Sequence, residues 1–508
     1  MSKLFIGWAE ESIVPEKKVR LQGQFYERIS QFVESEITVT AMAAEADGEQ
    51  MVIVSADLTS IPQFLMEIVR EQIAKQTDEI DPSKVIICAT HTHTSHTLSN
   101  PAPSGASSAP IATTKDILGE FMPPEKEYKP LVTADDSVLD PKEATVFVAD
   151  KIVKAVLRAW RERREALYSN AFGRAAVGMC RRVFYDDGTS EMWGDTNSAN
   201  FVSMEGGNDS GIELIYMFDT EKKLTGVVAN IACPSQILEQ RSFISADFWG
   251  RAKAIIREKL GSHVHLLALG GAGGDQCPRD LVRWVQPETP IADPHVIRKY
   301  PLRRKADPSM FDISGCNKVG KRVANEIISV YEELDELKSE IVFKHKVLSL
   351  DLPLRKATKA DYEKAVREME YYVQKNADKP VFDYADNAKM YVNAGNILRF
   401  RLQQIKEIYT IESHIIRFGD VAFTTNPFEL FLDFGNRIKA RSYAEQTFIV
   451  QLCCGGGGYL PTAKAEAAGH YSAYITSGNV GHEGGDLYVR RSLQEINAMF
   501  EGEEIYVK

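Results

Sequence analysis

Apolar runs along the chain repeatedly stop at a polar or glycine-rich turn. They are QMVIVSADLT (50–59), KVIICATHTH (84–93), HVHLLALGGAGGD (263–275), ESHIIRFGDVAFTTN (412–426) and TFIVQLCCGGGGY (447–459). Short β-branched runs of this kind predict strands, and the fourth, alternating on both sides of Gly419-Asp420, predicts a hairpin. Apolar positions at helical spacing predict helices over 61–76, 146–167, 247–260, 320–337, 427–442 and 486–500. The order of elements mixes β-α-β, α-β, a hairpin and α-β-α. It predicts an α/β layered domain with a mixed central β-sheet flanked by helices. Neither an internal repeat nor a low-complexity linker interrupts the pattern, so a single domain over 1–508 is expected. Residues 98–143, with NPAPSGASSAP, are expected to form a long irregular excursion or lid.

The strand ends carry the chemistry. Asp57, His91 and His93, Asp275 and Cys277, Glu429 and Tyr459 all lie at or just past an apolar run. In α/β sheets ligand sites collect at the carboxyl ends of strands. If the 84–93 run is a strand throughout, His91 and His93 share one face and Thr90, Thr92 and Thr94 the other. Two imidazoles so placed can reach one divalent ion, and neutral imidazole suits Zn²⁺, Fe²⁺ or Ni²⁺. His96 lies just past the run, where it could swing back. The alternative is a half-buried histidine pair bonded to neighbouring loops. GHEGGD (481–486) lacks the second histidine of HExxH and is no zincin helix.

Charge narrows the partners. The chain of 508 residues carries a net charge of −11, which excludes a general nucleic-acid binder and disfavours anionic membranes. No apolar stretch approaches the roughly 18–20 residues that span a bilayer. The N-terminus shows no basic segment followed by an apolar one, and the 7 cysteines form no CxxC pair. A cytoplasmic location with reduced thiols and a small-molecule substrate are therefore expected.

Taken in order, several segments resemble the neutral/alkaline (non-lysosomal) ceramidase superfamily. IGWAEESIVP is similar to that family's opening IG-G..DITP, VIVSADL to VFVSADL, and ATHTHTSHT to ATHTHSGPG. NIACPSQIL…ISADFWG resembles N.ACHPT…ISADYPG, and GGAGGDQCPR resembles G..GD.SPN. IRFGDVAFTTNPFELF and GGGYLPTAKAEAAGHY resemble the family's LRFGD and AGYITT segments. The resemblance spans almost the whole chain and implies a ceramidase-like catalytic domain with a zinc site. It places His91 and Glu429 as metal ligands, His93 beside them, Tyr459 at the metal, and Arg181 on the substrate side.

Three departures from the family stand out. Where the resemblance expects a second zinc-binding histidine after Cys233, this chain has Pro234. A tetrahedral site would lose a ligand there. His96 is the first candidate to replace it, with Cys233, Gln236, His470 and His482 behind. Where ceramidases place a serine, this chain has Cys277, either a nucleophile or soft ligand, or an inert buried thiol. The chain also ends where larger ceramidases continue into a β-rich domain, so a divergent cytosolic member acting on a small polar molecule is expected.

The reading that follows is a zinc-dependent hydrolase, other divalent transition metals being able to serve. It cleaves an amide, ester or related bond with metal-activated water. The metal set is His91, His93, His96, Glu429 and Tyr459. Cys277, Tyr459 and Asp57 are the catalytic candidates, and Arg181, Arg182 and Asp275 the substrate-side ones. Two alternatives stay open: a metal-assisted isomerase, lyase or glycosidase on a carbohydrate-like substrate, and a non-catalytic ligand-binding member of the family.

Overall fold

The computed structural model of the chain describes residues 2–102, 114–122, 127–128, 135–285, 305–306 and 312–502. Its main sheet runs, in spatial order, through His265–Gly270, Leu224–Ile231, Gly211–Asp219, Arg164–Arg174, Ser2–Ser12, Thr38–Ala46, Glu49–Ala56 and Val85–Ala89. The two outermost pairings are parallel and those between them antiparallel. The sheet is thus mixed, as expected. A second sheet orders Phe343–Pro353, Ile408–Phe418, Val421–Thr425 and Gln446–Val450.

Period-two alternation divides the core. On the strand Gly211–Asp219, Ile212, Leu214, Tyr216 and Phe218 pack with the helices Asp247–Leu260 and Ile313–Glu332. Ile215 and Met217 point the other way, into a cluster shared with Ile416, Phe423 and Phe448 of the second sheet. The second sheet's far face joins the helices Leu432–Lys439 and His482–Met499. Helix, sheet, sheet and helix therefore stack in layers. The strand Val85–Ala89 is buried at every position, so it reads as an unbroken apolar run rather than an alternation.

Several segments differ from the pattern reading. The run at 84–93 stays a strand only to Ala89. The helix expected over 146–167 is Pro141–Arg161, started by Pro141 behind an Asp140 cap, and a strand begins at Arg164. The helix expected over 427–442 is Leu432–Lys439, preceded by the short strand Phe428–Leu430. Within the proposed excursion, Thr114–Phe121 is helical, and Ile117 and Leu118 pack against Met369, Phe382 and Met390. Glu127–Tyr128 pairs in parallel with Val381–Phe382, and 103–113, 123–126 and 129–134 lie outside the described residues.

Glu10 links the first strand to the helix Asp247–Leu260. Its carboxylate meets Lys253 at 3.0 Å, Arg257 at 2.9 Å and the Thr40 hydroxyl at 2.9 Å. Burial alone would raise its pKa, but Lys253 and Arg257 more than offset this and hold it at about 2. A depressed folded-state pKa contributes stability that is present above the unfolded value and lost as pH falls. Glu10→Gln is therefore expected to cost about 2–3 kcal/mol at pH 7. Urea unfolding at pH 3 should show that difference reduced by more than half.

Candidate active site

The backbone turns sharply after Ala89. The N–H of Thr90 bonds to the Ala56 carbonyl at 2.9 Å and that of His91 to the Leu58 carbonyl at 3.0 Å. His91 takes φ 67°, a left-handed conformation uncommon for a residue with a Cβ. His91 and His93 converge because of this turn, not because they alternate along a strand.

The hydrogen bonds assign the protons. His91 Nδ1 lies 2.6 Å from the Thr59 carbonyl, which can only accept, so Nδ1 carries a hydrogen and Nε2 faces the site. Arg181 donates to Gln236 Oε1 at 2.9 Å, which fixes that amide. Gln236 Nε2 then donates to His93 Nε2 at 3.0 Å, leaving the His93 proton on Nδ1. The two Nε2 atoms face each other at 3.3 Å, and Glu429 Oε2 stands 3.4 Å from His91 Nε2. Two ring nitrogens and a carboxylate thus meet in one region, with the His93 Nε2 lone pair held by the Gln236 amide.

Glu429 and Tyr459 reach the site together. The strands Phe428–Leu430 and Gly458–Leu460 run parallel with Glu429 and Tyr459 in register. Glycines allow the approach. Gly458 has φ 67°, and a Cβ there would meet the Ser477 carbonyl oxygen at 2.4 Å; a Cβ on Gly274 would meet the Glu429 carbonyl oxygen at 2.3 Å. Burial raises the Glu429 pKa, but His91, Arg181 and Tyr459 more than offset it and hold the carboxyl below its ordinary value. Burial, then Glu429, pushes Tyr459 well up, so it remains a phenol.

Arg181 is buried beside them. It donates to the Gly274 carbonyl at 2.9 Å and to Tyr459 Oη at 3.3 Å, and stands 4.0 Å from Glu429. Burial works against its charge; Tyr459, Glu429 and Cys277 more than offset this, and it stays a cation.

The other predicted residues are placed elsewhere or otherwise engaged. His96 Nε2 contacts the Ile13 carbonyl at 2.7 Å and its ring lies 6.1 Å from Phe147, so it does not fill the position vacated at Pro234. Asp57 accepts from the Thr38 N–H and hydroxyl and from the Thr90 hydroxyl. It pins the exit of the strand rather than serving as a base at the imidazoles. All five Arg182 donors are engaged, by Glu205, Gly469, Tyr471 and Ser472, and none is left for substrate. Asp275 accepts the Leu432 N–H at 2.9 Å at the start of a helix. Cys277 is buried with its pKa pushed up to about 12, so it stands as a thiol rather than a thiolate nucleophile. His482 pairs with Glu466 at 3.0 Å beside a separate cavity of about 1070 Å³ that Arg355 and Tyr474 also line.

Residues that sequence reasoning missed complete the surroundings. Glu239 Oε2 lies 3.5 Å from His93 Nδ1. Burial pushes its pKa up to about 7 against the pull of Arg181 and Arg28. Arg28 holds the His93 carbonyl at 2.6 Å. Gly23, at φ 108°, passes so close that a Cβ would meet the His93 ring at 2.4 Å. Tyr471 packs edge-on to Tyr459 with ring centroids 5.6 Å apart. Only long-range contacts reveal these residues; a lone Glu in SQILEQ carries no local signal.

The mixed sheet, the second sheet behind it and a site at the strand ends together define a neutral-ceramidase-like fold. The chain superposes on neutral ceramidase from Pseudomonas aeruginosa with a TM-score of 0.64 at 14% identity, over 99% of this chain and 75% of that one. It superposes equally on a ceramidase complexed with C2, with a TM-score of 0.62 at 13% identity, over 100% of this chain and 77% of that one. No protein-family model and no curated protein matches the sequence. Among the described residues no helix is long and apolar enough to cross a membrane.

Proposed function

We propose that this chain is a zinc-dependent hydrolase that cleaves an amide, ester or related bond in a small polar molecule. One observation carries the reading: the Nε2 atoms of two imidazoles stand 3.3 Å apart, and a carboxylate oxygen lies 3.4 Å from one of them. The spacing of the nitrogen pair fits the ion. Zn–N bonds of about 2.0–2.1 Å at a tetrahedral angle separate two nitrogens by about 3.3–3.4 Å. His91, His93, Glu429 and Tyr459 are the residues that would hold it. When bound, such an ion polarises a carbonyl and lowers the pKa of water from about 15.7 toward about 7.

The chain's own groups supply the rest. Arg181 offers a desolvated positive charge at Tyr459 Oη, where negative charge on a substrate oxygen would develop. Tyr459, kept protonated, can donate to that oxygen. Glu239 is placed to exchange a proton with His93 Nδ1 and so to set that ring's tautomer. Gln236, two residues past Pro234, holds the His93 Nε2 lone pair with its amide N–H, and that amide must turn away before the nitrogen takes an ion. The fold of the neutral ceramidases, as amide hydrolases, supports the same reading.

The test is metal analysis of untagged protein together with turnover in H₂¹⁸O. Stoichiometric zinc and one ¹⁸O per product are expected. A product of unchanged mass would replace hydrolysis by isomerisation, and a protein without stoichiometric metal would remove the proposal.

A further inference from the structure

We propose that Glu412, His414 and Cys454 form a second metal site, separate from the His91 centre, for a borderline-soft divalent cation of the Zn²⁺ class. Glu412 and His414 lie two residues apart on the strand Ile408–Phe418 and so share a face. Cys454 comes from the turn after Gln446–Val450. One ligand atom from each lies within 4.8 Å of the others. His414 Nε2 is 2.8 Å from Glu412 Oε1 and 3.8 Å from Cys454 Sγ.

Proton bookkeeping along a neighbouring chain of hydrogen bonds points to the cation. The Gln50 carbonyl can only accept, so His345 Nδ1, 2.9 Å away, carries its hydrogen. His345 Nε2 then accepts from His414 Nδ1 at 2.8 Å. That places a His414 proton on Nδ1 and turns Nε2 toward a carboxylate oxygen at 2.8 Å. Either a second ring proton or a metal ion stands between them. Cys454 directs a third donor at the same region, which a single proton would not use but a metal ion would.

The surroundings match those of ligands held in place. Metal-binding histidines give their other ring N–H to a fixed acceptor, and ligating carboxylates are themselves hydrogen-bonded. His345 is that acceptor for His414. Arg70 clamps both Glu412 oxygens, at 2.6 and 2.8 Å, and is tied to the Val85 carbonyl at 2.8 Å. The Glu412 side chain is 26% exposed while His414 is closed off, so the cluster opens to solvent on one side. Sulfur and imidazole select against Mg²⁺ and Ca²⁺, which take oxygen ligands. Binding releases the Cys454 thiol proton to solvent; thiolate, carboxylate and neutral imidazole balance one dication, and Arg70 adds one positive charge beside them.

The test is a Co²⁺ titration of the full-length, chelator-stripped protein, read by absorption. A thiolate-to-cobalt charge-transfer band in the near ultraviolet, saturating at one equivalent, is expected. Cys454→Ser should lose the band and one bound equivalent. His91→Asn should keep both, so the two sites succeed or fail separately. X-ray absorption of the Zn²⁺-saturated wild type, averaged over both centres, should find a sulfur neighbour at about 2.3 Å, whether or not the variant folds. No band in the wild type, a band that survives in Cys454→Ser, or no sulfur neighbour overturns the site.

Discussion

His91→Asn is expected to strip the metal from the His91 centre and lower kcat/KM by about 10⁴-fold, roughly 5.5 kcal/mol of transition-state stabilisation. Asparagine is the informative replacement. Position 91 has φ 67°, and asparagine enters the left-handed region more readily than other residues with a Cβ. The turn after Ala89 can then persist while the imidazole is lost, so a folded but inactive protein is the predicted outcome. Circular dichroism checks the fold, and metal content and initial rates check the site. His96→Gln is the control: its ring bonds the Ile13 carbonyl, so metal content should be unchanged. Retained activity in His91→Asn, or metal loss in His96→Gln, would move the centre elsewhere.

Local pattern made some elements legible and concealed others. The helix Asp247–Leu260 was readable to the residue, because an unbroken helical period ends at Gly261, where φ is 122°. The hairpin was readable because Gly419 takes φ 62° between two alternating strands. The strand Phe428–Leu430 was hidden inside a helix-like period, since its partner Gly458–Leu460 lies 30 residues on. Thr38–Ala46, TVTAMAAEA, is rich in small residues and buried at nearly every position, so it shows no alternation. The same limit applies to the site. His91, His93, Glu429 and Tyr459 stood at strand ends and were visible from type and place. Gln236 was named only as a lesser candidate beside Pro234, while Glu239 and Arg28 act through contacts that cross long stretches of chain, as between Glu239 and His93. Arg182 was misread for a related reason. Beside Arg181 it looked like a second substrate contact, and only the three-dimensional structure shows where its five donors go.

Arg182→Leu is expected to destabilise the fold by about 3–5 kcal/mol, the cost of leaving a buried charge without its partner. The Arg182 side chain is 0% exposed and that of Glu205 4%. Their fork closes at 2.7 and 2.9 Å. The guanidinium also binds the carbonyls of Gly469 at 2.7 Å and Tyr471 at 2.8 Å. Deleting it strands a carboxylate and two carbonyls in the interior. Arg182→Leu/Glu205→Leu should recover part of the loss, because two apolar chains remove the orphaned charge while the carbonyls stay unpaired. Urea unfolding of the two variants measures both numbers. Activity should follow stability only in part. The loop that Arg182 holds carries Tyr471, packed on Tyr459. The double variant, though refolded, should therefore remain slower than wild type. A single-variant loss below about 1 kcal/mol would mean that Arg182 is not the clamp its contacts describe, and would reopen a role for it at the substrate.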